Sequence, residues 1–175
     1  MDNRDQDQPM RMPWYGTERH YCFGCSGSNP AGLALSMIPS GDTLTTNFVL
    51  TRIHESYPGL IHGGVSAAIL DELMGNLLVY KERKLCFTTS LRLAYAGALR
   101  IGQSYSAIAW LQEPGTESKG VFRVLGKIRD AEGSALVLAR GNFRCITLAG
   151  WHRALGLENA PGDDLAPYLC HDESV

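Results

Sequence analysis

The segment Pro58-Gly59-Leu60-Ile61-His62-Gly63-Gly64 runs directly into an apolar stretch that carries two adjacent carboxylates, Asp71 and Glu72. Glycines at the start of a helix leave backbone N–H groups at the positive end of the helix dipole. Without side chains they let a ligand come close to the backbone. Such N–H groups can stabilise a developing oxyanion. A carboxylate can then attack a carbonyl or draw a proton from water. Asp71 is the expected carboxylate, and Glu72 lies one position, about 100°, around the helix from it.

The spacing adds a constraint. Asp71 is eight residues beyond Gly63, so the two backbones are about 12 Å apart along a helix axis. One helix cannot place both groups around a single carbonyl. Two antiparallel helices can, with the start of one facing the middle of the other. This predicts a homodimer, or a dimer of dimers, with shared sites.

Other reactive residues fit their elements better than a site. Ser66, in Gly64-Val65-Ser66-Ala67-Ala68, lacks the second glycine of a nucleophile elbow. Cys22 and Cys25 form a CxxC pair. Zinc calls for four ligands, and no second pair exists. His20, Cys145 and His171 stand at no recognised ligand spacing. A redox pair calls for a βαβ context that is missing. The two cysteines therefore read as small thiols beside a turn glycine, and neither a metal nor a cofactor is expected.

The elements that must position the chemistry follow from periodicity. Residues 1–8 read as a disordered tail and 21–32 as a loop rich in Gly, Ser, Asn and Pro. Residues 33–38 and 43–50 read as two strands around a Ser40-Gly41-Asp42 turn. The long helix is expected over 63–80, with Val65, Ala68, Ile69, Leu73 and Leu77 as its apolar stripe. Strands are expected over 86–95, 104–111, 120–129 and 135–146. In the third of these, Phe122, Val124 and Ile128 alternate with Arg123, Lys127 and Arg129. Those cations read as a solvated strand face, with the phosphates of a bound ligand as the competing partner. A short helix is expected near 151–157. One striped helix beside a run of antiparallel strands makes the fold class α+β. The expected division is a tail over 1–20, one domain over 21–147 and a C-terminal extension over 148–175.

The glycine segment, followed by Leu70-Asp71-Glu72-Leu73-Met74-Gly75, resembles the signature of the hot-dog-fold thioesterase superfamily, in its phenylacetate-pathway-like (PaaI-like) branch. Cys22-Phe23-Gly24-Cys25 with Asn29-Pro30-Ala31-Gly32-Leu33 resembles the N-terminal segment of many bacterial members. The resemblance covers 21–146. It implies an antiparallel sheet wrapped around one long central helix, a dimer as the minimal unit, and hydrolysis of an acyl-CoA or acyl-carrier-protein thioester. By position, Gly63 would polarise the thioester carbonyl through its N–H, with Gly64 beside it at the substrate. His62 would shape the oxyanion end or hold the loop. Asp71 of the other subunit would be base or nucleophile. Ser56 stands where several relatives place an Asn or Gln that contacts the thioester. Thr88 stands near a hydroxyl that positions water in some relatives. Gly75 replaces a hydroxyl found in one related branch. The other readings are a hot-dog hydratase or dehydratase, whose Asp/His arrangement is not seen, and a non-catalytic acyl thioester binder.

Composition narrows the remaining classes. In 175 residues, 45% are apolar, enough for one real core, and 19% are charged, low enough to leave apolar surface for a subunit contact. A net charge of −2 argues against nucleic-acid binding. The polar, acidic first twelve residues offer no signal-peptide core, and no apolar run approaches the roughly 20 residues of a membrane span. A cytoplasmic protein without a membrane partner is expected. Five scattered cysteines do not make a disulfide framework.

Overall fold

The computed structural model describes residues 8–11, 15, 20–112, 117–118, 120–156 and 165–170. Within them lie β1 (Ile38–Ser40), β2 (Thr43–Val49), a 3₁₀ turn (Arg52–His54), α1 (Gly63–Glu82), β3 (Cys86–Tyr95), β4 (Ser104–Leu111), β5 (Glu117–Ser118), β6 (Val121–Arg129), β7 (Ala135–Cys145), α2 (Leu148–Leu155) and a second 3₁₀ turn (Ala166–Tyr168). The named strands pair antiparallel in the order β1-β2-β4-β6-β7-β3, with β5 set beside β6. The expected tail over 1–8 lies almost wholly outside the described residues.

The sheet wraps around α1, which touches β2, β3, β4, β6 and β7. Ile69, Leu70, Leu73, Met74, Leu77 and Leu78 are all fully buried. Each such side chain contributes about 1.5–3 kcal/mol through removal from water. The buried stripe is thus broader than the expected one: Leu70, Met74 and Leu78 join it, while Val65 and Ala68 are only partly covered. A sheet that curls around a helix covers more of its circumference than a flat layer does. On the sheet side, Phe122, Val124 and Ile128 are buried and Arg123 is exposed, as the alternation predicts.

Two strand glycines let the helix settle close to the sheet. A Cβ on Gly126 would come within 3.1 Å of Leu70 and Met74. One on Gly141 would stand 2.6 Å from the Phe143 ring and 2.9 Å from Met74. We expect Gly141→Ala to lower unfolding stability by about 1–3 kcal/mol, the usual cost of overpacking. Urea unfolding reads this directly, and an unchanged midpoint would mean that the helix can back away freely.

Two expectations need correction. Residues 33–37 are not part of a strand: β1 begins at Ile38. Ala34 has a positive φ of 47°, which breaks an extended run. The Leu33 and Leu35 N–H groups donate instead to the carbonyls of Phe23 and Gly24, which ties this segment to the cysteine loop. The short C-terminal helix starts earlier than expected, at Leu148, because Thr147 caps it by accepting from the Gly150 N–H. Beyond it, Tyr168 is buried against Val79, and its carbonyl accepts from the Leu85 N–H. Among the described residues, no helix is long and apolar enough to cross a membrane.

Candidate active site

Asp71 sits midway along α1, half-buried, and its Oδ1 accepts a hydrogen bond of 2.8 Å from the Thr88 hydroxyl on β3. Burial pushes the Asp71 carboxyl above the ordinary carboxylate range; the Thr88 bond pulls it down, and the neighbouring Glu72 charge adds to the rise. A raised pKa makes the ionised carboxylate a better base. Both residues line a cleft of about 250 Å³.

A β-bulge brings Thr88 to Asp71. On β3, Leu91 and Leu93 pack on the core, and the Tyr95 hydroxyl reaches α1. Strict alternation from these would turn Thr89 toward the helix and Thr88 away. The register with β7 slips between Thr88 and Ser90, leaving Thr89 as the extra residue. The slip returns Thr88 and Cys86 to the helix side.

The start of α1 forms a second, separate cleft, lined by Ile61, Gly63, Ser66, Tyr95 and Leu99 among others. His62 is the N-cap, and its Nδ1 accepts from the Gly64 N–H at 2.9 Å. That bond uses the Gly64 donor. It leaves the Gly63 N–H, which as the first helical residue has no acceptor within its own helix. The Tyr95 hydroxyl donates to the Gly63 carbonyl at 2.9 Å, which fixes this turn against β3. Ser56 is placed elsewhere: it lies in the exposed turn before the helix, with its hydroxyl 3.5 Å from the Leu60 carbonyl, and lines neither cleft.

The structure therefore brings Asp71 and Thr88 together at one point and His62, Gly63 and Gly64 together at another. Glu72 lines the Asp71 cleft but turns to other partners. Its carboxylate accepts from the Asn76 side chain at 2.9 Å and lies 3.4–3.5 Å from the Cys22 sulfur. His20, Cys22, Cys25, Glu72 and Asn76 line the Asp71 cleft, which the sequence did not disclose. The Cys22 thiol is pulled down to about 7, chiefly by its hydrogen bond with Cys25 and against the effect of burial.

No protein-family model and no curated protein matches the sequence. Solved structures do resemble the fold. A thioesterase superfamily protein superposes with a TM-score of 0.65 at 22% identity, over 70% of this chain and 62% of its own. The chain thus spans less than two thirds of that protein's length. The Escherichia coli PaaI protein from the phenylacetic acid degradation operon gives a TM-score of 0.58 at 13% identity, over 64% of this chain and 83% of its own. A Streptococcus mutans protein bound to acetyl CoA gives 0.57 at 12% identity, over 63% and 87%. With its antiparallel sheet around one long helix, the chain has the hot-dog fold of these structures.

Proposed function

We propose that this chain hydrolyses an acyl thioester, carried by CoA or a carrier protein, to free acid and thiol. The observation that carries the reading is the Thr88-held, half-buried Asp71 carboxylate, lying in one cleft while the Gly63 helix start opens on another. Each is half of an acyl-transfer site. A thioester already has a good leaving group, so an oriented carboxylate and one oxyanion donor suffice, with Thr88 holding the carboxylate or the attacking water.

The two halves are joined through a second copy. Among the described residues β3 ends the sheet, and none of its ten residues is buried. Phe87 is 44% and Tyr95 54% exposed. A long open edge of this kind invites pairing with another strand. Antiparallel pairing of two β3 strands about Leu91 and Arg92 sets Thr88 of one chain against Tyr95 of the partner subunit. The Asp71 cleft of one chain then meets Gly63 of the partner subunit. That the Streptococcus mutans structure holds acetyl CoA in this fold makes an acyl-CoA the first substrate class to try.

The test is release of free thiol from a panel of acyl-CoA and acyl-carrier thioesters, followed with a thiol reagent. Sustained release from at least one member is expected. Tight binding across the panel without turnover would make the protein a thioester sensor instead.

A further inference from the structure

We propose that Cys22, Cys25 and Glu72, with His20 as the fourth donor, form a zinc site that fastens the N-terminal loop to the central helix. One ligand atom from each of Cys22, Cys25 and Glu72 lies within 4.8 Å of the others. His20 Nε2 is 3.2 Å from the Cys25 sulfur, and the Glu72 oxygens are 3.4 and 3.5 Å from the Cys22 sulfur. Tetrahedral zinc, with bonds of 2.0–2.3 Å, spaces its donors roughly 3.5–3.8 Å apart. Cys22, Cys25 and Glu72 already stand within reach of one another, whereas His20 is close to the Cys25 sulfur alone and its ring must swing toward the other two to complete the set.

The surroundings fit a metal better than a plain hydrogen-bonded cluster. The Gly24 N–H donates to the Cys22 sulfur at 3.3 Å, and a backbone N–H aimed at sulfur favours the thiolate. Gly24 is also where Glu72 arrives: a Cβ there would stand 2.4 Å from the Glu72 side chain. The loop thus leaves room for a carboxylate at the two thiols, although three acidic groups so close repel one another once ionised. A divalent cation removes that repulsion. Among the described residues, no lysine or arginine makes a salt bridge to Glu72.

Supporting contacts hold the ligands in place. Asn76 donates to Glu72 Oε1 at 2.9 Å, and the Tyr15 hydroxyl donates to Asn76 Oδ1 at 2.9 Å. The His20 ring stacks on Tyr15 with centroids 4.6 Å apart. Outer contacts of this kind orient ligands and tune affinity. Two sulfurs with an imidazole and a carboxylate suit zinc among common metals. Spacing alone does not reveal the site, because Glu72 enters from the helix, far along the chain.

The full chain, purified under reducing conditions, should carry about one zinc per chain by elemental analysis. After stripping, titration with cobalt(II) should give intense visible bands of tetrahedral cobalt and a near-ultraviolet sulfur-to-cobalt band. Cys22→Ser and Cys25→Ser should each lose the sulfur band or weaken it. Asn76→Ala should weaken zinc affinity about 10–100-fold. Cys86→Ser, at the other thiol lining the cleft, and Asp71→Asn should both leave the spectrum intact. No sulfur-to-cobalt band in the reduced wild-type chain would overturn the proposal, whatever the variants do. So would a band that keeps its full intensity in both cysteine variants. Neither readout depends on thioester hydrolysis, so failure here and failure of the proposed activity are separate results.

Discussion

Asp71→Asn should lower the turnover of the best thioester by about 10²–10⁴, the usual loss when a general base is removed. The change keeps the size of the side chain and an oxygen that the Thr88 hydroxyl can still reach at a separation like the present 2.8 Å. It removes the charge and the basicity. Folding should survive, because a half-buried carboxylate raised by burial is no easier to bury than a neutral amide. Substrate affinity should change little, since the carbonyl donor belongs to the other cleft. Glu72→Gln is the informative companion. Glu72 is engaged by Cys22 and Asn76, while the Thr88 hydroxyl bonds Asp71, so its loss should spare the intrinsic chemistry far more than loss of Asp71. Steady-state kinetics of both variants decide the matter. A dead Glu72→Gln beside a normal Asp71→Asn would move the base by one residue. Full activity in both would remove the helix carboxylate from the mechanism.

The long helix and the longer strands were legible because each repeats a period over several turns or pleats. Strands β3 and β4 fall where alternation puts them, and α1 begins at Gly63 as expected. Asp71 stands out in the sequence because a carboxylate follows a glycine-led helix start inside an apolar run, and the proposed role rests on that and on its bond to Thr88. Thr88 was assigned to the site by resemblance only. Its approach to Asp71 depends on the one-residue slip at Thr89, and no local pattern in Cys86–Tyr95 marks a bulge. Tyr95, which holds the helix start, is the last residue of an expected strand, and nothing in its spacing marks that contact. The failure at 33–37 has a similar cause. The Ser40-Gly41-Asp42 turn places a strand before it, but the backbone partners there are Phe23 and Gly24 of a loop. Periodicity reports what a segment buries and is silent on which distant segment it meets. The Glu72 approach to the cysteine loop is another such meeting.

Gly63→Pro should lower turnover by about 10²–10³, as loss of an oxyanion donor does in other acyl-transfer sites. Proline deletes one N–H, and the local geometry tolerates it. Gly63 is the first residue of α1, the one helical position that favours proline. The residue before a proline must be extended, and His62 already has φ −63° and ψ 132°. A Cβ at Gly63 would meet the Tyr95 ring at 3.5 Å, an ordinary contact. A thermal melt should therefore stay near wild type, which separates a chemical loss from a folding loss. The effect should fall mainly on kcat, because the donor acts on charge that develops in the transition state. The variant also tests the shared site. A mixed dimer of an Asp71→Asn chain and a Gly63→Pro chain contains one cleft pair with both defects and one with neither. It should recover about half the wild-type activity, although each variant alone is nearly inactive. No recovery from chains shown to have exchanged would mean that Asp71 and Gly63 do not serve the same carbonyl across the interface. A well-folded Gly63→Pro variant at full rate would show that the oxyanion is held by some other donor.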